Sequence, residues 1–202
     1  MVKGLGIRIA SNTRMYFCAQ CGKILFKQDI FCQKHRPYPT KLYKRQMPNY
    51  VHYYFYPWSP STRAMTYALK YGRHRPFLFQ MKSRLQYLLQ EEGFILDELW
   101  VTPNAKGLKK SKNHAYQIAK AFGAKTIHDE HFKQGTQKHT SRLQRRKLRI
   151  QGPRPQIDMP VIADDVLTTG ATVEALMQYC GWQKAIVITM AYVSKRSINF
   201  SR

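Results

Sequence analysis

The sequence predicts an α/β fold, a parallel sheet flanked by helices, with a small module at its N-terminus. Three observations carry this. Apolar, β-prone runs alternate with segments of helical periodicity, the pattern of βαβ units. Glycines stand where several helical patterns end. The N-terminal part differs in kind, holding three of the four cysteines close together. The expected division is a module over residues 1–45 and an α/β domain over residues 46–202.

Taken in order, the stretch from Arg36 to Pro60 is rich in Pro and aromatics and reads as a linker leading into strands, with "VHYYFYPW" β-prone. Trp58-Ser59-Pro60 marks a turn, Ser61 is placed to cap the helix containing "TRAMTYALK", and Gly72 to end it. "RPFLFQMKSRLQYLLQEEG" reads as an amphipathic helix from Pro76 to Gly93, with Phe77, Met81, Leu85 and Leu88 on one face. "DELWVTPN" supplies a short strand, and "NHAYQIAKAFG" a helix stopped by Gly123. Residues 132–154 contain no acid and read as an exposed loop followed by a basic helix. "MPVIADD" is a buried strand, "ATVEALMQYCG" a helix and "KAIVITMAYV" a further strand. Cys180, in that last helix, reads as core.

The chain has 202 residues, of which 44% are hydrophobic, enough for one packed domain with an appendage. No apolar run approaches the roughly 20 residues that span a bilayer, and the first residues lack the apolar region of a signal peptide. A cytoplasmic location is the expectation. The formal net charge is +23. Charge of this size speaks of partners, here polyanions such as nucleic acid or phosphorylated small molecules. The density peaks in residues 100–154, which hold 14 Lys or Arg against 2 acids.

Cys18, Cys21, Cys32 and His35 follow the spacing C-x2-C-x10-C-x2-H. Two knuckles of two ligands each suit one tetrahedral Zn²⁺, with every position filled by protein and hence structural. So short a module buries little core, and metal binding would supply its folding free energy.

"VIADDVLTTGAT", residues 161–172, follows an apolar strand with two adjacent acids, hydroxyls and one glycine before a helix. Ligands of α/β sheets lie beyond the carboxyl ends of strands, and helix N-termini there bind phosphate. Backbone N–H groups from Thr168 to Thr172 are placed to cradle a phosphate, with Gly170 permitting close approach and Thr168, Thr169 and Thr172 adding hydroxyls. Asp164 and Asp165 would be repelled by that phosphate and suit vicinal sugar hydroxyls instead. A ribose 5-phosphate unit satisfies both halves.

These twelve residues resemble the phosphoribosyl pyrophosphate (PRPP) motif of type I phosphoribosyltransferases. The resemblance implies that Asp164, Asp165, Val166, Leu167, Thr168, Thr169, Gly170, Ala171 and Thr172 bind PRPP, with Mg²⁺, in a type I phosphoribosyltransferase-like sheet. Together with the Cys/His knuckles and "YALKYGRH", the chain resembles the ComF family of competence proteins. That likeness implies a role in natural transformation, handling single-stranded DNA beside a ComFA-type helicase. Two departures stand out. His35 takes the place of a common fourth Cys, and "KSKNHA", residues 110–115, stands where R-G-F-N-Q-A is expected.

Two functions follow as expectations: a DNA-handling competence factor with a PRPP-binding domain, or an active phosphoribosyltransferase with an unspecified acceptor base. For nucleic acid, Lys133, Lys138, Arg142, Arg145, Arg146, Lys147 and Arg149 offer a phosphate-tracking stripe or, alternatively, a solvated helix face. Tyr53, Tyr54, Tyr56 and Trp58 either stack on bases or pack a β core. Lys138 and Arg142 are also candidate donors to a departing pyrophosphate.

Overall fold

A seven-stranded sheet forms the centre of the computed structural model, which describes residues 16–18, 21, 23–25, 31–70, 74–96, 99–105, 113–134 and 149–194. Before it, β1 (Tyr16–Phe17) and β2 (Ile24–Leu25) form a small antiparallel hairpin. The sheet comprises β3 (Tyr43–Gln46), β4 (Tyr50–Pro57), β5 (Leu99–Ala105), β6 (Thr126–Gln134), β7 (Arg149–Gln151), β8 (Val161–Leu167) and β9 (Ala185–Tyr192). Its spatial order is β3-β4-β9-β8-β5-β6-β7. The five inner strands run parallel, and β3 and β7 close the two edges antiparallel. The expected α/β architecture is thus present as a mostly parallel mixed sheet.

Among the described residues four helices flank it: α1 (Pro60–Lys70), α2 (His74–Glu91), α3 (His114–Phe122) and α4 (Ala171–Cys180). The cap of α1 differs from expectation. Ser59, not Ser61, fills it, accepting from the Thr62 N–H at 3.1 Å, while the Arg63 N–H donates to the Ser59 carbonyl. Pro60 explains the shift, because proline prefers the first helical position and leaves the cap to the residue before it. Gly72 lies outside the described residues. Helix α2 begins two residues before Pro76, and Phe77, Met81, Leu85 and Leu88 are all buried as predicted. Gly93 ends it at φ 81°, its N–H donating to the Gln90 carbonyl.

Two apolar cores cover the two faces. Met65, Leu69, Phe77, Leu85, Ile118 and Phe122, from α1, α2 and α3, meet Trp100, Val161 and Ala163 in one. The other packs Val173, Leu176 and Met177 of α4 against Val101, Ile162 and Val187. Strand β8 serves both, which explains why its apolar run does not alternate with polar residues.

The acid-free segment is corrected at its ends. Phe132 to Gln134 close β6 and Arg149 to Gln151 form β7, paired antiparallel, so extended chain replaces the expected loop start and helix end. Residues 135–148 lie outside the described residues. Among the described residues no helix is long and apolar enough to cross a membrane.

Candidate functional site

The N-terminal knuckles converge. The Cys18 N–H donates to the Lys23 carbonyl at 2.8 Å across the β1–β2 turn, and the His35 N–H donates to the Cys32 carbonyl at 3.0 Å across a 3₁₀ turn over Gln33–His35. Cys18, Cys21, Cys32 and His35 bring their donor atoms within 4.8 Å of one another. Cys18 Sγ lies 3.8 Å from His35 Nδ1, Cys32 Sγ lies 3.4 Å from the same nitrogen, and Cys21 Sγ lies 3.9 Å from Cys32 Sγ. A tetrahedral zinc with bonds of about 2.3 Å to sulfur and about 2.0 Å to nitrogen requires S–S edges near ~3.8 Å and S–N edges near ~3.5 Å. The Cys₃His cluster therefore fits one Zn²⁺ held structurally, through Nδ1 of the histidine. Cys18 and Phe31 are buried in the core shared with α1, α2 and α3, whereas Cys21 is exposed.

The second site lies at the carboxyl end of β8. Helix α3 connects β5 to β6 on one side, and α4 connects β8 to β9 on the other. The winding direction therefore reverses between the neighbours β5 and β8. Such a switch point opens a crevice beyond the strand ends, where α/β proteins bind ligands.

Asp164 and Asp165 are both in β8 and both buried, Asp165 to 3% exposure. Two groups answer the Asp165 carboxylate. Lys70 Nζ at the end of α1 lies 3.5 Å from Oδ2, and His114 Nε2 at the start of α3 lies 3.8 Å from Oδ1. Its own N–H donates to Asp164 Oδ1 at 2.8 Å. Burial pushes the Asp165 pKa up, but contact with His114, the Lys70 ammonium and a side-chain hydrogen bond with Asp164 outweigh it and hold the carboxyl at about 2. Asp165 is thus an ionised acceptor at neutral pH.

Neither Lys70 nor His114 was singled out from the sequence. Lys70 belongs to "YALKYGRH", which carries the resemblance, and His114 to "KSKNHA", which departs from it, and both stretches reach Asp165. Asn113 explains the placement of His114. Its Oδ1 accepts from the Ala115 and Tyr116 N–H groups at 3.1 and 3.3 Å, which starts α3 with His114 as its first residue.

The residues after the acids divide by role. Val166 packs toward one core and Leu167 is buried in the other, so their side chains are structural. Thr168 and Thr169 are exposed, and Thr172 is half-buried. Gly170 caps α4 with no side-chain hydrogen bond to the helix N-terminus, while the Ala171 N–H donates to Thr169 Oγ1 at 3.4 Å. Gly170 is at φ 80°, and a Cβ added there would stand 2.7 Å from the buried Tyr50 hydroxyl. Gly170→Ala is expected to cost about 2–3 kcal/mol in urea unfolding, combining left-handed strain with the Tyr50 contact. Adding Tyr50→Phe should recover the contact part only.

The nucleic-acid candidates separate. Lys133 is in β6 and Arg149 in β7, while Lys138, Arg142, Arg145, Arg146 and Lys147 lie outside the described residues. Tyr53 and Tyr56 are core residues, the former edge-on to Phe94 and the latter donating to the Pro37 carbonyl at 3.0 Å. Trp58 packs on the same core, and Tyr54 faces away from it. Cys180 is half-buried, and burial pushes its thiol pKa up to about 11, which makes it a poor nucleophile. No protein-family model matches the chain, and no curated protein matches it.

Proposed function

We propose that the chain is a ComF-type competence factor of the ComFC kind, which binds PRPP at the carboxyl end of β8 and handles single-stranded DNA in the cytoplasm beside a ComFA-type helicase. The observation that supports the pocket is the buried Asp164–Asp165 pair at the switch point, followed by a helix whose cap, Gly170, makes no side-chain hydrogen bond to its N-terminus. Ribose hydroxyls are donors and would meet the Asp165 carboxylate, already ionised and paired with Lys70 and His114. The 5-phosphate would take the N–H groups and hydroxyls of Thr168 to Thr172. Mg²⁺ would accompany the pyrophosphate and neutralise its charge. Lys70, half exposed, offers a further cation on that side of the acids. The DNA role is supported by the net charge of +23.

An active phosphoribosyltransferase is the second reading, favoured by this same motif. Transfer requires stabilisation of the departing pyrophosphate, and Lys70 is one available donor besides Lys138 and Arg142.

Titration calorimetry of zinc-loaded protein with PRPP and Mg²⁺ tests the pocket. Binding heat is expected from the natural chain and none from the Asp164→Ala, Asp165→Ala double variant, whose oligonucleotide affinity should be unchanged or slightly higher. No heat from the folded natural chain would rule the pocket out. Pyrophosphate release on adding candidate bases separates turnover from binding alone.

A further inference from the structure

We propose that β3, β4 and β9 carry a base-stacking platform for a single-stranded polynucleotide, built from Tyr43, Tyr54 and Tyr192 and edged by Lys41 and Arg45. It rests on the DNA-handling reading and gives that reading an interface. Tyr43 and Tyr54 are register partners across β3 and β4, their rings stacked with centroids 5.1 Å apart and planes 12° from parallel. Tyr192 joins from β9, 5.3 Å from Tyr54. Below them His52, fully buried, stacks on Tyr54 at 5.2 Å and meets Tyr192 edge-on at 5.3 Å. His52 Nε2 is itself fixed 2.8 Å from Thr189 Oγ1. The rings therefore rest on a rigid floor.

Core formation does not account for this cluster. All three tyrosines are only half-buried, and neither Tyr43 nor Tyr54 contributes to either apolar core. Their cover is cationic. The exposed Arg45 guanidinium lies 5.1 Å from the Tyr192 ring centre and the exposed Lys41 ammonium 4.6 Å from that of Tyr43. Rings beneath exposed cations match a chain that alternates flat bases with phosphates. A base taking a cation's place over a ring gains stacking area and frees that cation for the neighbouring phosphate. Nothing in such a surface selects a particular base, as suits a polynucleotide of arbitrary sequence.

The platform also lies close to the acids. Tyr54 is level with Thr189, and Thr189 with Asp164, so the row spans two strand spacings, about 9.6 Å.

Fluorescence anisotropy with labelled oligo(dT), and oligo(rU) in parallel, tests the proposal across a salt series. Tyr43→Ala with Tyr54→Ala should weaken oligo(dT) binding about 5- to 150-fold while leaving the salt slope unchanged. Tyr43→Phe with Tyr54→Phe should restore it, because stacking needs the ring and not the hydroxyl. Lys41→Glu with Arg45→Glu changes exposed side chains only, and should weaken binding and flatten the salt slope. PRPP binding heat should survive in every variant. Equal dT and rU affinities would mark a platform for any single strand, and preference for dT one matched to DNA; both support the platform. If the natural chain binds neither oligonucleotide, the DNA-handling reading and the platform fall together. If it binds and the folded Tyr→Ala or the charge-reversed variant binds equally well, the platform alone is overturned.

Discussion

Cys18→Ser is expected to abolish stoichiometric zinc and lower the melting temperature steeply, and exhaustive chelation of the natural chain should do the same. Structural zinc binds finger peptides with apparent free energies of roughly 10–16 kcal/mol near neutral pH, and most of that is folding free energy. The hairpin β1–β2 has two residues per strand, so its own ladder holds the knuckles together only weakly. Cys18 is also buried in the apolar core that includes Phe31 and residues of α2. Cys21 offers the contrast, being a member of the Cys₃His cluster but exposed. Cys21→Ser should therefore lose the metal with a smaller fall in melting temperature than Cys18→Ser, and Cys180→Ser should change neither. Metal analysis and thermal unfolding of the three variants decide this. Full zinc content in Cys18→Ser protein would remove Cys18 from the ligand set.

Acid is expected to destabilise the fold well before the carboxylates titrate, through His52. The Thr189 hydroxyl gives its proton to the Ala191 carbonyl at 2.8 Å, so its oxygen is left to accept from His52 Nε2. That sets the Nε2–H tautomer and leaves Nδ1 as a buried lone pair with no hydrogen-bond partner. A proton added there would lack both solvent and an acceptor. Burial, then the charge of Arg45, accordingly lowers the His52 pKa from its ordinary 6.5 to about 3. The unfolded chain binds this proton more readily than the folded one. Stability is then fully present above about pH 6.5 and declines as pH falls toward about 3, by on the order of 4 kcal/mol. His52→Leu should flatten the profile in that window, whatever it does to stability at neutral pH. Urea unfolding at a series of pH values measures both slopes, and an unchanged slope in the variant would refute the assignment.

The sequence showed the Cys₃His cluster and the long helices clearly because each is a local pattern. Ligand spacing within the knuckles, Asn113 and Gly123 around α3, and the apolar face of α2 all act over a few residues. It showed the acids of β8 but not their partners. Lys70 and His114 reach Asp165 only when α1 and α3 dock on the sheet, across long separations that no local spacing records. Strand β6 was missed for a related reason: "TIHDEHFKQ" is polar by composition, yet Asp129 and His131 are buried within it. His131 Nε2 donates to the Pro153 carbonyl at 2.8 Å, a bond that exists only once β7 has paired. β3 read as linker because its four residues, "YKRQ", form an edge, where strands carry charge to discourage further pairing.

The shared role of β8 has a consequence for how the pocket would respond to a ligand. Val166 and Leu167, adjacent in the chain, are anchored in opposite cores immediately before the hydroxyl loop. Shifting that loop outward would draw one side chain or the other from its packing, so the loop enters binding already immobilised. A ligand there would forfeit little chain entropy on arrival, and affinity would depend mainly on how well its own charges and hydroxyls fit.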